Sequence, residues 1–438
     1  MNFISFRKKQ NNTILKMLRA LKNKLIYLCL LALLFLSCKS NYISKNLGNS
    51  FYNNQFTGLL VYHPKTKDTV FKYNADKYFT PASNTKIFTL YTALQMLPAQ
   101  IPAFKYGVEN DTITIQGIGN PTFLHPFFND STALKMAKNY KNVNLILNNL
   151  EDEKFGPGWA WEDYDTYFSP EKSSFPMYGN VVAISNQDSL QSIPKALKNH
   201  VHFSESNKRR QFNDNTFYYN PKRKDTIEVP MVIDTLLLSR LWDDVLPGIV
   251  SISKYDGKKL DKIAYSSVPS DSLYKRMMLV SDNFLAEQML ILASSTLSDT
   301  LSSKRIRDTI LNKQLKDLKQ KPRWVDGSGL SRYNLFTPTS FVQVLEKLHN
   351  QIPQQRLFNL FPAGGASGTL TNYYLGEGKP YIYAKSGTLG NNYSLSGYLI
   401  TNSGKTLVFS FMNNHYRKPT TDVKKRMQLI FEWLRDNY

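Results

Sequence analysis

The chain has 438 residues, 42% hydrophobic and 13% aromatic, a composition that supports more than one buried core and excludes a disordered polymer. Lys and Arg number 55 against 34 Asp and Glu, a formal charge of +21 at pH 7. No segment interleaves basic and aromatic residues as a nucleic-acid motif does, so the charge reads as Lys-rich solvated surface suited to anionic envelope polymers, with no nucleic acid as partner. At the N-terminus, Arg7, Lys8, Lys9, Lys16, Arg19, Lys22 and Lys24 precede an apolar run over 25–37, with no acid among them. This predicts a signal peptide over 1–37, with Met17 as a second candidate start; the run is shorter than the ~20 residues of a spanning helix. The two cysteines are Cys29, inside that segment, and Cys38, just after it, so the remaining chain is expected to hold no disulfide and no thiolate nucleophile. Residues 38–56, rich in Asn and Ser, predict a tether, with order beginning near Thr57.

Residues 58–62 and 69–73 predict a hairpin. Over 82–97, Ile87, Leu90, Tyr91, Leu94 and Leu97 recur at three and four, predicting a helix with a buried face that Pro81 opens and Pro98 closes. The stretch 99–265 is irregular, with short strands at 112–115 and 180–185, a helical turn at 131–139, and a basic, polar run at 199–224 that predicts an exposed loop. Two apolar helices are expected over 271–292, broken at Ser281-Asp282-Asn283. A strand at 380–385 precedes a hairpin of 393–400 and 405–411 around 401–404, and an amphipathic helix over 423–434 closes the chain. The six histidines are scattered without a metal-ligand spacing, so no metal is expected.

Three short segments carry chemistry. Ser83 and Lys86 sit at i and i+3 at the start of the buried helix, within side-chain reach, where free backbone N–H groups suit a developing oxyanion. The spacing alone is uninformative, since it recurs at Ser169/Lys172, Ser192/Lys195 and elsewhere; the Pro81 start and the apolar helix behind it single out Ser83. Ser281-Asp282-Asn283 puts polar groups between apolar helices, which an ordinary cap also explains. Lys385-Ser386-Gly387-Thr388 ends a strand where Gly lets a ligand approach the backbone, though Lys-Ser-Gly by itself more often marks a turn.

Together and in this order, the three segments resemble the motif trio of β-lactamases and penicillin-binding proteins. Gly117-Ile-Gly-Asn-Pro-Thr122, Gly156-Pro-Gly-Trp-Ala-Trp-Glu-Asp163, Asp326-Gly-Ser-Gly-Leu-Ser-Arg332, Phe361-Pro-Ala-Gly-Gly365 and Gly368-Thr-Leu370 narrow the resemblance to the class C low-molecular-mass penicillin-binding proteins, the D-alanyl-D-alanine carboxypeptidase/endopeptidase family. The separation of 198 positions from Ser83 to Ser281 is similar to the spacing that an insertion gives this class.

The resemblance implies an α/β (α+β) fold: a serine β-lactamase-like transpeptidase domain, an antiparallel sheet flanked by helices, built from 57–98 and 262–438, with a mostly β accessory region inserted at 99–261. It implies hydrolysis of peptidoglycan stem peptides through a Ser83 acyl-enzyme without a cofactor, and inhibition by β-lactams. Lys86 is then the base, with its pKa lowered by partial burial and by Lys385. Ser281 relays a proton, Asn283 orients Lys86 and binds the peptide, and Lys385, Ser386 and Thr388 hold the terminal carboxylate, with Gly387 between them. Ser37-Cys38 resembles a bacterial lipoprotein signal, implying lipidation of Cys38 and a periplasmic, membrane-anchored enzyme. A β-lactamase or esterase on the same scaffold, and an inactive cell-wall-binding lipoprotein, are the alternatives.

Overall fold

The computed structural model describes residues 22–24, 42–257 and 259–438. Cys38 and nearly all of the expected signal peptide lie outside the described residues. In chain order, β1 (Phe56–His63) and β2 (Asp68–Tyr73) precede a 3-10 turn (Ala82–Thr85) and α1 (Lys86–Met96). A long central region follows, with β3 (Gln100–Glu109), β4 (Thr112–Gln116), α2 (Thr132–Ala137), β5 (Asn142–Ile146), β6 (Val181–Asn186) and β7 (Leu190–Ile193). It continues through β8 (Val201–Phe203), β9 (Phe217–Tyr219), β10 (Ile227–Pro230), α3 (Thr235–Val245), β11 (Val250–Ser253) and β12 (Lys262–Pro269). Helices α4 (Ser270–Leu279), α5 (Asn283–Ser294), α6 (Ser303–Asn312), α7 (Pro338–Gln351) and α8 (Gln354–Leu360) come next. Strands β13 (Ile382–Leu389), β14 (Asn392–Ile400) and β15 (Thr406–Asn414) and α9 (Thr420–Asn437) complete the chain.

The main sheet has the order β13-β14-β15-β1-β2 and is antiparallel throughout. Alternate side chains serve two cores, as the two-residue period of a strand requires. Leu60, Tyr398, Val408 and Met412 face the helical layer of α1, α5 and α7, while Leu59, Leu395, Phe409 and Phe411 pack with Val423, Met427 and Phe431 of α9. Strands β14 and β15 are therefore buried along almost their whole length, the signature of central strands covered on both faces. Helix α7 shows how firmly the helical layer is started: Thr337 and Ser340 cap each other reciprocally and Pro338 occupies the first turn.

A second sheet, β11-β5-β4-β3-β12, is mixed, with β4–β5 and β5–β11 parallel, and it owns a separate core that includes Ile113, Leu145, Phe217 and Trp242. A small sheet, β10-β6-β7, contributes Val182, Ile184 and Val229 to the same core. The fold is thus mixed α/β with antiparallel sheets and flanking helices.

Two expectations are corrected. The run 199–224 is not a simple exposed loop, because β8 and β9 pair within it and Phe217, Tyr219 and Arg210 are fully buried. Arg210 donates through its two terminal nitrogens to the carbonyls of Gln211, Phe212, Asp214 and Tyr164, so a buried guanidinium gathering four backbone carbonyls organises a segment whose charges suggested solvent. Ordered structure also begins before Thr57: residues 42–47 are helical, and Ile43, Leu47 and Tyr52 are buried against the α9 side of the main sheet. Three apolar side chains spaced among Asn and Ser suffice to dock a segment that composition alone marks as a tether.

Candidate active site

Residues 81–93 are buried with one exception, Ser83, which reaches solvent at the floor of a cleft. The first turn here is 3-10 rather than α, and Ala82 takes a positive φ of 48°. This tight turn lifts Ser83 out of the core that holds the rest of α1. Lys86, fully buried, directs Nζ to three oxygens: Ser83 Oγ at 3.0 Å, Asn283 Oδ1 at 2.6 Å and Ser328 O at 2.8 Å. The last two can only accept. A neutral amine that donates to both has one lone pair left, and it faces the Ser83 hydroxyl. Burial lowers the Lys86 pKa to about 8, against the opposing pull of Asp326, Glu287 and Asp282. Its depression comes from desolvation by full burial, a simpler cause than the partial burial and neighbouring Lys385 charge expected from sequence.

Ser281 lies in the break between α4 and α5 with a φ of 60°. Asp282 caps α5 by accepting from Leu285 N at 3.0 Å and also pairs with Arg276 at 3.3 Å. This fixes the break so that Ser281 Oγ meets Lys385 Nζ at 3.0 Å while Asn283 turns to Lys86. Asn283 Nδ2 donates to Phe168 O at 2.9 Å, which sets the amide with its oxygen toward the lysine. Lys385 is fully buried, and burial together with the nearby Lys86 drives its pKa well below the usual lysine value.

Strand β13 presses directly on the serine turn. A Cβ at Gly387 would lie 2.5 Å from Pro81 O and 2.9 Å from the backbone nitrogens of Ser83 and Asn84, so only glycine fits. Beside it, Ser386 Oγ lies 2.7 Å from Thr369 Oγ1, and Ser386, Thr369 and Thr388 line the cleft. The cavity has a volume of about 570 Å³.

All eight site residues expected from sequence within the described region converge here. Sequence reasoning missed several others. The 326–332 run, which in sequence only supports the resemblance, is a brace built on buried Asp326, Ser328 and Ser331. Asp326 accepts from Gly329 N at 2.8 Å, Ser331 N at 2.6 Å, Asn334 Nδ2 at 2.7 Å and Trp159 Nε1 at 2.9 Å. Glu287, also buried, accepts from Ser328 N at 2.7 Å and Gly327 N at 3.1 Å, holding the loop whose Ser328 carbonyl receives Lys86. Two N–H groups aimed at both oxygens favour the carboxylate form, although burial and then Asp326 push the Glu287 pKa up. Thr369, inside the Gly368-Thr-Leu370 segment, has no role assigned by sequence. The segment supports the resemblance, but nothing in sequence shows that it folds onto Ser386.

A serine hydroxyl facing a buried amine, with a second amine bonded to the Ser281 hydroxyl and a cluster of further hydroxyls around one cavity, is the equipment of a serine acyl-transfer enzyme. The chain belongs to the D-Ala-D-Ala carboxypeptidase 3 (S13) family, which matches residues 42–223 and 247–436. It is similar to the penicillin-sensitive carboxypeptidase A of Dictyostelium discoideum, with 23% identity over 439 residues and 83% of each chain covered. In structure it is similar to penicillin binding protein 4 (dacB) of Haemophilus influenzae, at a TM-score of 0.71 and 18% identity over 90% of this chain and 99% of that one. A complex of the same Haemophilus protein with a β-lactam matches at a TM-score of 0.60 and 18% identity, over 90% of this chain and 97% of that one. Among the described residues, no helix is long and apolar enough to cross a membrane.

Proposed function

We propose that the protein is a serine D-Ala-D-Ala carboxypeptidase or D,D-endopeptidase that cleaves peptidoglycan stem peptides through a Ser83 acyl-enzyme and is acylated by β-lactams. The observation that carries this reading is the Lys86 geometry: two acceptor-only oxygens occupy its N–H groups and leave its lone pair to Ser83. Family membership supplies the substrate class.

Lys86 takes the Ser83 proton as Oγ attacks the carbonyl of the penultimate D-Ala. Backbone N–H groups of Ser83 and Thr388 receive the oxyanion. The C–N bond then breaks, and the proton that Lys86 took from Ser83 passes through Ser281 Oγ, which Lys385 backs at 3.0 Å, to the departing amine, so that Lys86 is neutral again. The substrate's terminal carboxylate rests on Ser386, Thr369 and Thr388 with the Lys385 amine beneath, whose protonated form a bound carboxylate favours. Water, deprotonated by Lys86, adds to the ester and releases the shortened peptide and free Ser83. No metal or organic cofactor enters these steps.

Lipidation of Cys38 belongs to the same reading. Ile43 is docked on the fold five residues later, and five residues span at most about 18 Å, so the lipid would hold the domain close to the bilayer. An envelope location on the periplasmic side follows from that anchor. The stretch 99–261, with its own core, then acts as an accessory region that limits what reaches the cleft.

Incubation with a fluorescent penicillin and with muropeptides tests the reading. The wild type should form a long-lived covalent adduct and release D-Ala or split cross-links, and Ser83→Ala should do neither. A wild-type adduct that hydrolyses within seconds would instead identify a β-lactamase. Radiolabelled lipid incorporation that survives Cys38→Ser would refute the anchor.

A further inference from the structure

Cavities of about 300–1,000 Å³ hold drug-sized ligands, so the 570 Å³ cleft has room for much more than a dipeptide terminus. Its charges are neutralised unevenly. At the end formed by Glu228, Arg276 and Asp282, Arg276 pairs with Asp282 at 3.3 Å and lies over the Phe127 ring. At the end where Thr369, Ser386 and Thr388 present hydroxyls, the accessible cation is Lys424, which α9 brings to the cleft wall half-buried.

No carboxylate forms an ion pair with Lys424 among the described residues. Its Nζ lies 3.6 Å from the centroid of Tyr373 and 5.1 Å from that of Tyr393, and Tyr393 stands opposite Thr388 in the β13–β14 ladder. Aromatic faces hold an ammonium through their quadrupole without cancelling its charge. The result is a positioned, un-neutralised cation beside the carboxylate-binding hydroxyls. Lys385 does not duplicate it, because the Lys385 Nζ is buried and donates to Ser281 Oγ and Ser386 O.

We propose that Lys424 forms a leaving-strand subsite, binding a carboxylate of the departing peptide other than the one beside the scissile amide, and so selects cross-linked stem peptides. A departing D-alanine has a single carboxylate, which the hydroxyl cluster and Lys385 already engage. A departing cross-linked strand brings further carboxylates, and Lys424 is placed to meet one. This inference rests on the D,D-peptidase reading above and decides between its two forms in favour of the endopeptidase.

The experiment compares wild type, Lys424→Gln and Lys424→Arg on a purified D-Ala-D-Ala pentapeptide monomer and on a D-Ala-cross-linked dimer, with products resolved by chromatography. One charge-assisted contact corresponds to roughly tenfold in affinity, so the dimer-to-monomer ratio of kcat/KM should fall about tenfold in Lys424→Gln. The fall should lie in KM for the dimer, and Lys424→Arg should stay within about twofold of wild type. An unchanged ratio, an equal loss on both substrates, or a wild type that leaves the dimer intact would overturn the inference. Labelling by fluorescent penicillin reports that each variant's site is assembled. A wild type that takes no penicillin would defeat the peptidase reading itself, a result distinct from any change in ratio.

Discussion

With Lys86 as the proposed base, the chemistry depends on a single proton. With a pKa of about 8, roughly one amine in ten is neutral at pH 7, and only the neutral form can accept from Ser83. Penicillin acylation should therefore climb nearly tenfold per pH unit below pH 8 and flatten above it, as read by stopped-flow labelling. Replacing Lys86 by Met should lower acylation by about 10²–10⁴-fold at pH 8, the usual contribution of a positioned base. Glu287 gives a sharper test because it acts on Lys86 by two routes. It anchors the Ser328 loop and its charge raises the lysine's pKa. Glu287→Gln should move the acylation limb to lower pH while reducing stability by about 1–3 kcal/mol, since one of two buried N–H groups loses its acceptor. An unmoved limb with the same loss of stability would reduce Glu287 to a structural part.

Elements position these residues through backbone contact more than through side chains. The serine turn is clamped between β13 and the 326–332 loop: a Cβ at Gly387 would meet Pro81 O at 2.5 Å, and one at Gly329 would meet Ala82 O at 1.9 Å. Gly387→Ala should push the turn and strand apart and cut acylation by about a hundredfold, the penalty typical of a misplacement near 1 Å, with kcat losing more than affinity. A Gly387→Ala variant that labels at the wild-type rate would show that the clamp is slack. The α4–α5 break follows the same logic. Its Asp282 cap and the Arg276 pair hold Ser281 at a positive φ, a conformation that a free tripeptide leaves at once.

For the whole molecule, buried ionisable groups set the pH range of stability. Lys86 in the unfolded chain keeps its proton up to about its ordinary 10.5, whereas in the folded chain it releases it near 8. Between those values the unfolded state binds more protons, so stability rises with pH, and Lys385, lowered in the same direction, adds to the slope. Tyr178 and Tyr274, both pushed up to about 12 by burial, act oppositely. Above about pH 10 the unfolded tyrosines lose protons that the folded ones retain, and stability falls. Denaturant melts from pH 7 to 11 should show a maximum between these limits. The docked N-terminal segment is a second global feature. Leu47, buried in the α9-side core, should lose about 2–4 kcal/mol of stability when replaced by Ala, with penicillin labelling preserved.

Sequence alone determined the elements whose side chains repeat at strand or helix spacing: the β1–β2 and β14–β15 hairpins, α1 and α9, and the break at Ser281 to Asn283. It also determined the chemical roles available, because a serine, two lysines and an asparagine in that order bring a limited set of reactions. Local periodicity could not reveal β3, β5 or β12, whose partners lie far along the chain, or the buried pairing around Arg210. Nor could it reveal Glu287, Thr369 and Lys424, each of which belongs to the site by a contact from another element. Tertiary structure decided these points because burial sets the pKa of Lys86, and burial is a property of everything packed around it rather than of the residues beside it in the chain.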